Sequence, residues 1–267
     1  MLDSSSIRVL MLGDVIGHPG MRALFSSLKI LKKEYKSDFV IVNAENAADG
    51  YGLLPHQVDE LFNYGVDAIT SGNHIWQKEE LYPFLDREDK LLRPSNYPKG
   101  VPGHGDCILE SKGVKLAVLN LQGRVRMSVN CECPFVNGLK DIKRLKSLAK
   151  CIVVDFHAED VTEKEALACY FDGKVSAVVG THTHIQTADE KILANGTAYI
   201  SDIGMTGPIN GVIGSEPEAA IKRVFTSIPY KTQVLDEDAV INGVVIEIDT
   251  SNGHALSIER VTYKTGL

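Results

Sequence analysis

The chain has 267 residues, 44% of them hydrophobic, and carries 28 Lys and Arg against 35 Asp and Glu, for a net charge of −7. That content suffices for a substantial core, and α/β chains of this length often fold as one domain, expected here over residues 1–267. The acidic balance argues against a broad basic face for duplex DNA or anionic lipid; a locally positive site built from bound metals stays open.

Residues 1–6 carry no Lys or Arg, and the apolar stretch after them is no longer than a buried strand. Neither a secretory leader nor a membrane span is expected. The five cysteines, Cys107, Cys131, Cys133, Cys151 and Cys169, are odd in number. A chain this long needs no disulfide staples, so they read as reduced thiols of a cytoplasmic protein. Cys131-Glu132-Cys133 lacks CxxC spacing and a second pair, and reads as an ordinary loop.

Residues 7–12 read as a first buried strand, and 21–35 as a helix with Leu24, Leu28 and Leu31 at helical spacing. A strand at 39–42, a helix at 55–64 with Pro55 in its first turn, a strand at 66–70 and a short helix at 78–85 follow. This β-α-β-α-β rhythm predicts a sheet covered by helices. Further strands are expected at 115–121, 151–156, 175–179 and 198–201, with a helix at 141–149. Strands at 243–248 and 255–261 read as a hairpin with Asn252-Gly253 in its turn. Residues 123–138 and 206–233 read as irregular, either loops at a site or an oligomer contact.

Polar residues recur where the strands end. Asp14 follows the first, Glu45 and Asn46 the second, and Asn73 and His74 the third. His157 follows 152–156, and His182 and His184 follow 175–179. In open α/β sheets the ligand crevice lies beyond the carboxyl ends of the strands, so these residues are expected at one rim. Taken singly, each has an ordinary explanation as a cap, a turn former or an ion-pair partner. Together, carboxylate, amide and imidazole suit iron, manganese or zinc. Leaving His74 aside, seven donors exceed the need of one four-coordinate ion and suffice for two sharing a carboxylate, an arrangement that suits phosphate displacement. Glycines 13, 72 and 180 read as sharp turns off strand ends. His18, His56, His104 and His254 lie outside the pattern and read as structural or surface residues.

Gly13-Asp14, Gly72-Asn73-His74, His157 and Gly180-Thr181-His182-Thr183-His184 resemble the motifs of calcineurin-like metallophosphoesterases. Asn43-Ala44-Glu45-Asn46, the run from Gly180 to Thr187 and the run from Asp202 to Gly207 are similar to blocks of the YmdB-like branch, whose bacterial members are described as 2′,3′-cyclic-nucleotide phosphodiesterases. Two positions depart from the wider superfamily: Ile16 stands where its first motif carries a histidine, and Glu45 where its second carries an aspartate. The YmdB-like branch accommodates both.

The resemblance implies an α/β fold of central mixed β-sheets sandwiched by helices. It implies one metal on Asp14, Glu45, Asn46 and His184 and a second on Glu45, Asn73, His157 and His182, with iron favoured and manganese next. It implies in-line attack on phosphorus by metal-activated water, with His74 as proton donor to the leaving oxygen. The expected substrate is a small phosphodiester, a 2′,3′-cyclic or 3′,5′-cyclic nucleotide, and homo-oligomer formation is expected on family grounds. The competing readings are a phosphomonoesterase or nucleotidase, and a regulatory scaffold that keeps metal only for folding. Asn120, Gln122, Thr181, Gln186 and Asp202 are candidates to support the ligands or contact substrate, and Arg124 and Arg126 to meet a substrate phosphate.

Overall fold

Several strands expected from apolar runs are buried along their whole length. The computed structural model describes residues 6–266; the leader-free reading of the N-terminus falls, for residues 1–5, outside the described residues. β3 (Phe39–Asn43) and β7 (Cys151–His157) are buried at every position, the property of a strand covered on both faces. Each belongs to a separate mixed sheet.

The first sheet has the order β2 (Asp14–Val15), β11 (Met205–Pro208), β12 (Ala239–Asp249), β1 (Ser6–Leu12), β3, β4 (Ala68–Thr70), with β13 (Ala255–Lys264) also paired to β12. Within it β1, β3 and β4 run parallel, and β12 runs antiparallel to β1. The second sheet has the order β5 (Asp106–Ser111), β6 (Val114–Gln122), β7, β8 (Ala177–Thr181), β10 (Ala198–Ile200), β9 (Lys191–Ile192). Here β6, β7, β8 and β10 are parallel, with β5 and β9 antiparallel at the edges.

Side chains alternate across each strand and so divide the core into three layers. Val9, Met11 and Ile41 meet Val118, Val153 and Val179 between the sheets. Leu10, Val40 and Val42 point outward onto Leu24, Leu28 and Leu31 of α1 (Gly17–Glu34) and Val58 and Leu61 of α2 (Pro55–Tyr64). Ile152, Val154 and Val178 point the other way, onto Ile142 and Leu145 of α4 (Pro134–Leu145) and Leu167 and Phe171 of α5 (Val161–Phe171). The result is the expected pair of mixed sheets between helical layers. No helix among the described residues is long and apolar enough to cross a membrane.

Several elements depart from the sequence reading, each for an identifiable reason. α1 begins at Gly17, where Pro19 is tolerated in the first turn. The 78–85 segment is a 3-10 turn (Glu79–Leu81) running into α3 (Tyr82–Leu85). α4 spans 134–145 rather than 141–149, starting on Pro134, so part of the stretch read as irregular is helical. β5 was not expected; it joins β6 through Lys112 and Gly113, both at positive φ as a two-residue hairpin turn requires. α6 (Pro217–Thr226) lies inside the stretch 206–233 read as irregular.

α5 also escaped the sequence reading. Its N-cap Asp160 accepts from Glu163 N at 3.0 Å. Its apolar residues gather on no single face, because Glu163 and Lys164 are buried among them. Lys164 Nζ lies 2.9 Å from Asp202 Oδ2, with both side chains almost fully buried. All five cysteines are unpaired, and Cys131-Glu132-Cys133 is a loop that leads into α4.

The Lys164–Asp202 pair sits where an unpaired charge is costly. Lys164→Met should lower unfolding stability by about 3–5 kcal/mol, because Asp202 is left buried without its cation. Urea denaturation monitored by circular dichroism measures this; a loss under about 1 kcal/mol would show that Asp202 is held by its backbone donors alone.

Candidate metal centre

The carboxyl ends of the parallel strands in both sheets open at one rim. Asp14 lies two residues past β1, Glu45 and Asn46 lie in the turn after β3, and Asn73 and His74 follow β4. From the second sheet, His157 is the last residue of β7, and His182 and His184 follow β8. All seven expected donors, and His74, therefore meet in one place.

The donor atoms fall into two groups. In the first, Asn46 Nδ2 lies 3.2 Å from Asp14 Oδ1 and 3.3 Å from His184 Nε2, and His184 Nε2 lies 3.7 Å from Asp14 Oδ1. In the second, His157 Nε2 lies 3.0 Å from Glu45 Oε1, 3.0 Å from His182 Nδ1 and 3.1 Å from Asn73 Oδ1. The ligand atoms of Glu45, His157 and His182 all lie within 4.8 Å of one another. Asp14 Oδ2 also accepts from His182 N at 3.2 Å, so the groups are contiguous.

Lone pairs facing each other at this range need a proton or a cation among them. Glu45 Oε1 is buried and makes no hydrogen bond of good geometry, and His184 Nδ1 is likewise buried without a partner. A donor set of two carboxylates, two amides and three imidazoles, with no thiolate, fits a hard or borderline metal ion.

The imidazoles are oriented from behind. Thr181 Oγ1 donates to Asp155 Oδ1 at 2.7 Å, so its lone pair is left to accept from His157 Nδ1 at 2.9 Å. His157 Nε2 is then free to bind a cation. Asp155, fully buried, also accepts from Thr70 Oγ1 and from Asn43 Nδ2 at 3.2 Å. Glu159 Oε2 lies 3.3 Å from His182 Nε2 and orients that ring. Asp202 makes no hydrogen bond or ion pair to either histidine ring. It accepts from Thr183 N at 3.0 Å and Gly204 N at 2.9 Å, and so pins the backbone between His182 and His184. Both histidines need pinning: their φ values are 105° and 67°, in the left-handed region that side chains disfavour.

Burial and crowding set the charges. Burial pushes the Asp14 carboxyl up to about 8, reinforced by Glu45 and opposed by His157. Burial also works against Glu45, but His157 beside it outweighs this and holds its carboxylate near about 2. His157 is raised to about 9, with burial overcome by Glu45 and Asp14. Burial lowers His182 to about 3 and His184 to about 4. Both are neutral at pH 7, the state in which imidazole binds metals.

Gly72 makes the close packing feasible. A Cβ there would lie 2.1 Å from the His157 ring. Gly13 and Gly180 are similarly walled in by the carbonyls of Gly204 and Ser201. None of the three has positive φ, so the reason for glycine is close approach and not turn geometry.

A cavity of about 530 Å³ opens over the site, lined by His74, His182 and His184 together with Glu159, Tyr51 and Arg223. Asn120 holds the 71–73 turn, accepting from Ser71 N at 3.0 Å. Gln122 Oε1 accepts from Tyr97 Oη at 3.2 Å. Gln186 bonds Gly243 and Val261 of the β12–β13 hairpin. Arg124 and Arg126 do not line the cavity. Sequence reasoning missed Asn43, Asp155, Glu159, Tyr51 and Arg223. Asn43 and Asp155 carried a signal, as polar residues inside otherwise apolar strands.

Known proteins show the same architecture. A 2′,3′-cyclic-nucleotide 2′-phosphodiesterase of Bacillus subtilis is 45% identical over 255 residues, 96% of each chain. The crystal structure of a phosphatase from Mycoplasma pneumoniae, 36% identical, superposes with a TM-score of 0.90 over 97% of this chain and 94% of that one. The NAD nucleotidase of Haemophilus influenzae shares the fold at 15% identity and a TM-score of 0.60, over 97% of this chain and 56% of its own. The family described as YmdB-like protein matches residues 10–261, and the chain belongs to that family.

Proposed function

We propose that the chain is a dinuclear metal-dependent phosphodiesterase acting on small phosphodiesters, foremost 2′,3′-cyclic nucleotides and next 3′,5′-cyclic ones. The observation that carries this reading is that Glu45, fully buried, lies 3.0 Å from His157 of the second donor group, which His182 N links to Asp14 of the first at 3.2 Å. Asp14, Asn46 and His184 would hold one ion, Asn73, His157 and His182 the other, and Glu45 both. The oxygen-rich first group favours iron, with manganese next. The phosphodiester substrate is supported by the name of the Bacillus subtilis relative. Bound metals supply water activation near neutral pH and charge neutralisation of the phosphate oxygens.

The chain's own residues supply the proton. Asn46 Oδ1 can only accept, so His74 Nδ1, 2.6 Å away, donates to it. That leaves His74 Nε2 without a proton when the ring is neutral, and burial lowers the His74 pKa, although Glu45 partly offsets this. For Asn46 to serve as an oxygen ligand, its amide must turn so that Oδ1 faces Asp14 and His184. Nδ2 then donates to His74 Nδ1, and the proton of the neutral ring moves to Nε2. His74 becomes a donor toward the leaving oxygen. His74 N also donates to Glu45 Oε2 at 2.8 Å, which ties this residue to the shared carboxylate.

His74→Ala should lower kcat on a 2′,3′-cyclic nucleotide by about 10²–10⁴-fold with metal content unchanged. The loss on bis-p-nitrophenyl phosphate should be far smaller, because p-nitrophenolate leaves without a proton. Equal losses on both would remove His74 from the acid role. A preference of the intact enzyme for p-nitrophenyl phosphate over its diester would instead favour a phosphomonoesterase.

Elemental analysis after iron-replete expression should return about two ions per chain, falling to about one in Asn46→Ala. An unchanged count in that variant would exclude Asn46 as a ligand.

Without cations, Asp14 and His157 hold their protons at pH 7, because both pKa values lie above it. Metal uptake should therefore release protons, and affinity should fall as pH drops below about 9. Calorimetry in buffers of differing ionisation enthalpy reads this directly; uptake without proton release would contradict it.

A further inference from the structure

The connection from β11 to β12 is built as a wall. It is closed at its base by the Val212–Ser215 and Ser215–Val234 bridges. Glu216 N donates to Gln233 O at 2.9 Å, and Leu235 N to Gly214 O at 3.0 Å. The Val234 side chain seats against Gly17 and Gly50, where an added Cβ would come within 3.1 Å of it. So anchored, the segment brings Ile213, Arg223 and Val224 to the cavity that contains His74, His182 and His184. Tyr51 reaches the same cavity from the turn after β3, its ring centroid 4.5 Å from that of His74 and its plane tilted by 43°.

The cavity is chemically lopsided. Its floor carries the imidazoles, whereas the wall offers an aromatic ring and two aliphatic side chains, with the polar residues Asp49, Ser215 and Thr232 also lining the cavity. Val224 is 82% exposed, although it stands beside a site built for a charged group. Arg223 makes no ion pair and no side-chain hydrogen bond among the described residues. A phosphodiester carries a single negative charge, which the metal centre would balance, so this guanidinium has other work. A ligand that satisfies both features has a phosphodiester at one end and a flat apolar face with a polar edge at the other. A nucleobase has that form: aromatic side chains stack on its face, and arginine hydrogen-bonds its edge.

We propose that Tyr51, Ile213, Arg223 and Val224 form a nucleoside-binding subsite, with the base against the Tyr51–Val224 wall and the Arg223 guanidinium on its edge. This rests on the phosphodiesterase reading, and makes that activity selective for nucleotides over other small phosphodiesters.

The test compares a 2′,3′-cyclic nucleotide with ribose 2,3-cyclic phosphate, which lacks the base, on the metal-loaded enzyme. The nucleotide should show a kcat/KM higher by about 10-fold or more. Arg223→Ala and Tyr51→Ala should each reduce this preference by about 10-fold, chiefly through KM. Val224→Ser should act in the same direction, and because Val224 is exposed this change leaves folding intact. Equal kcat/KM for the two substrates, or losses in the variants that do not depend on the base, would overturn the subsite. Calorimetric titration with a nucleoside monophosphate against ribose 5-phosphate reads the subsite without turnover. If neither cyclic phosphate is hydrolysed but the nucleoside monophosphate binds more tightly, the subsite stands and the phosphodiesterase reading fails. If the two ligands bind equally, the subsite fails whatever the activity.

Discussion

Two carboxylates excluded from water govern this molecule. Glu45 and Asp14 are both fully buried at the rim where the sheets meet. An uncompensated anion in such a place is strongly unfavourable, so each must take a proton or a cation. The protein alone meets the demand in two ways. Asp14 keeps its proton, and Glu45 stays charged by keeping His157 charged beside it. Both solutions consume groups that would otherwise be donors. The centre is thus poised between protons and metal ions, and neither carboxylate has an apolar substitute that would leave the neighbouring imidazoles satisfied.

Around those carboxylates the fold supplies rigidity more than contact. Asp155 lies between the sheets, fixed by Thr70, Asn43 and Thr181, and it decides through Thr181 which nitrogen of His157 faces the centre. Asp202 performs the matching task for the 182–184 turn, where two histidines hold a disfavoured backbone conformation. Lys164 pairs with Asp202, so a lysine on α5 bears on the turn that carries His182 and His184. Local strain of this kind persists only where surrounding structure over-determines it.

Much of this was legible in the sequence, and the limits have physical causes. Strand ends are legible because an apolar run announces the strand and a polar residue its exit; Asp14, Glu45, Asn73 and His157 all follow that rule, and the folded chain brings them together. Asn46 was legible as a strand-end polar residue, but its place on a metal was legible only through family resemblance. α5 was not, since a helix that buries Glu163 and Lys164 has no apolar stripe to detect. The glycines at 13, 72 and 180 were picked out for the wrong property. Sequence cannot tell a turn that needs positive φ from a surface that has no room for a Cβ, and here the second holds.

The cavity wall was the least legible part, and the reason separates a catalytic centre from a selective one. A metal centre demands particular atoms, so its residues stand out by type. A wall against a flat ligand asks only for area and shape, which Ile213, Val224 and Tyr51 provide with side chains that elsewhere would be core or chance exposure. Residues 206–233 read as irregular, and many of their large apolar side chains, Ile213, Val224 and Phe225 among them, lack cover among the described residues. Once the segment is seen to be anchored through Val234 and Ser215, that same lack becomes its distinguishing property. The candidate metal centre was carried by residue chemistry that sequence displays; the surface that would choose the substrate is carried by tertiary placement, which only the folded chain displays.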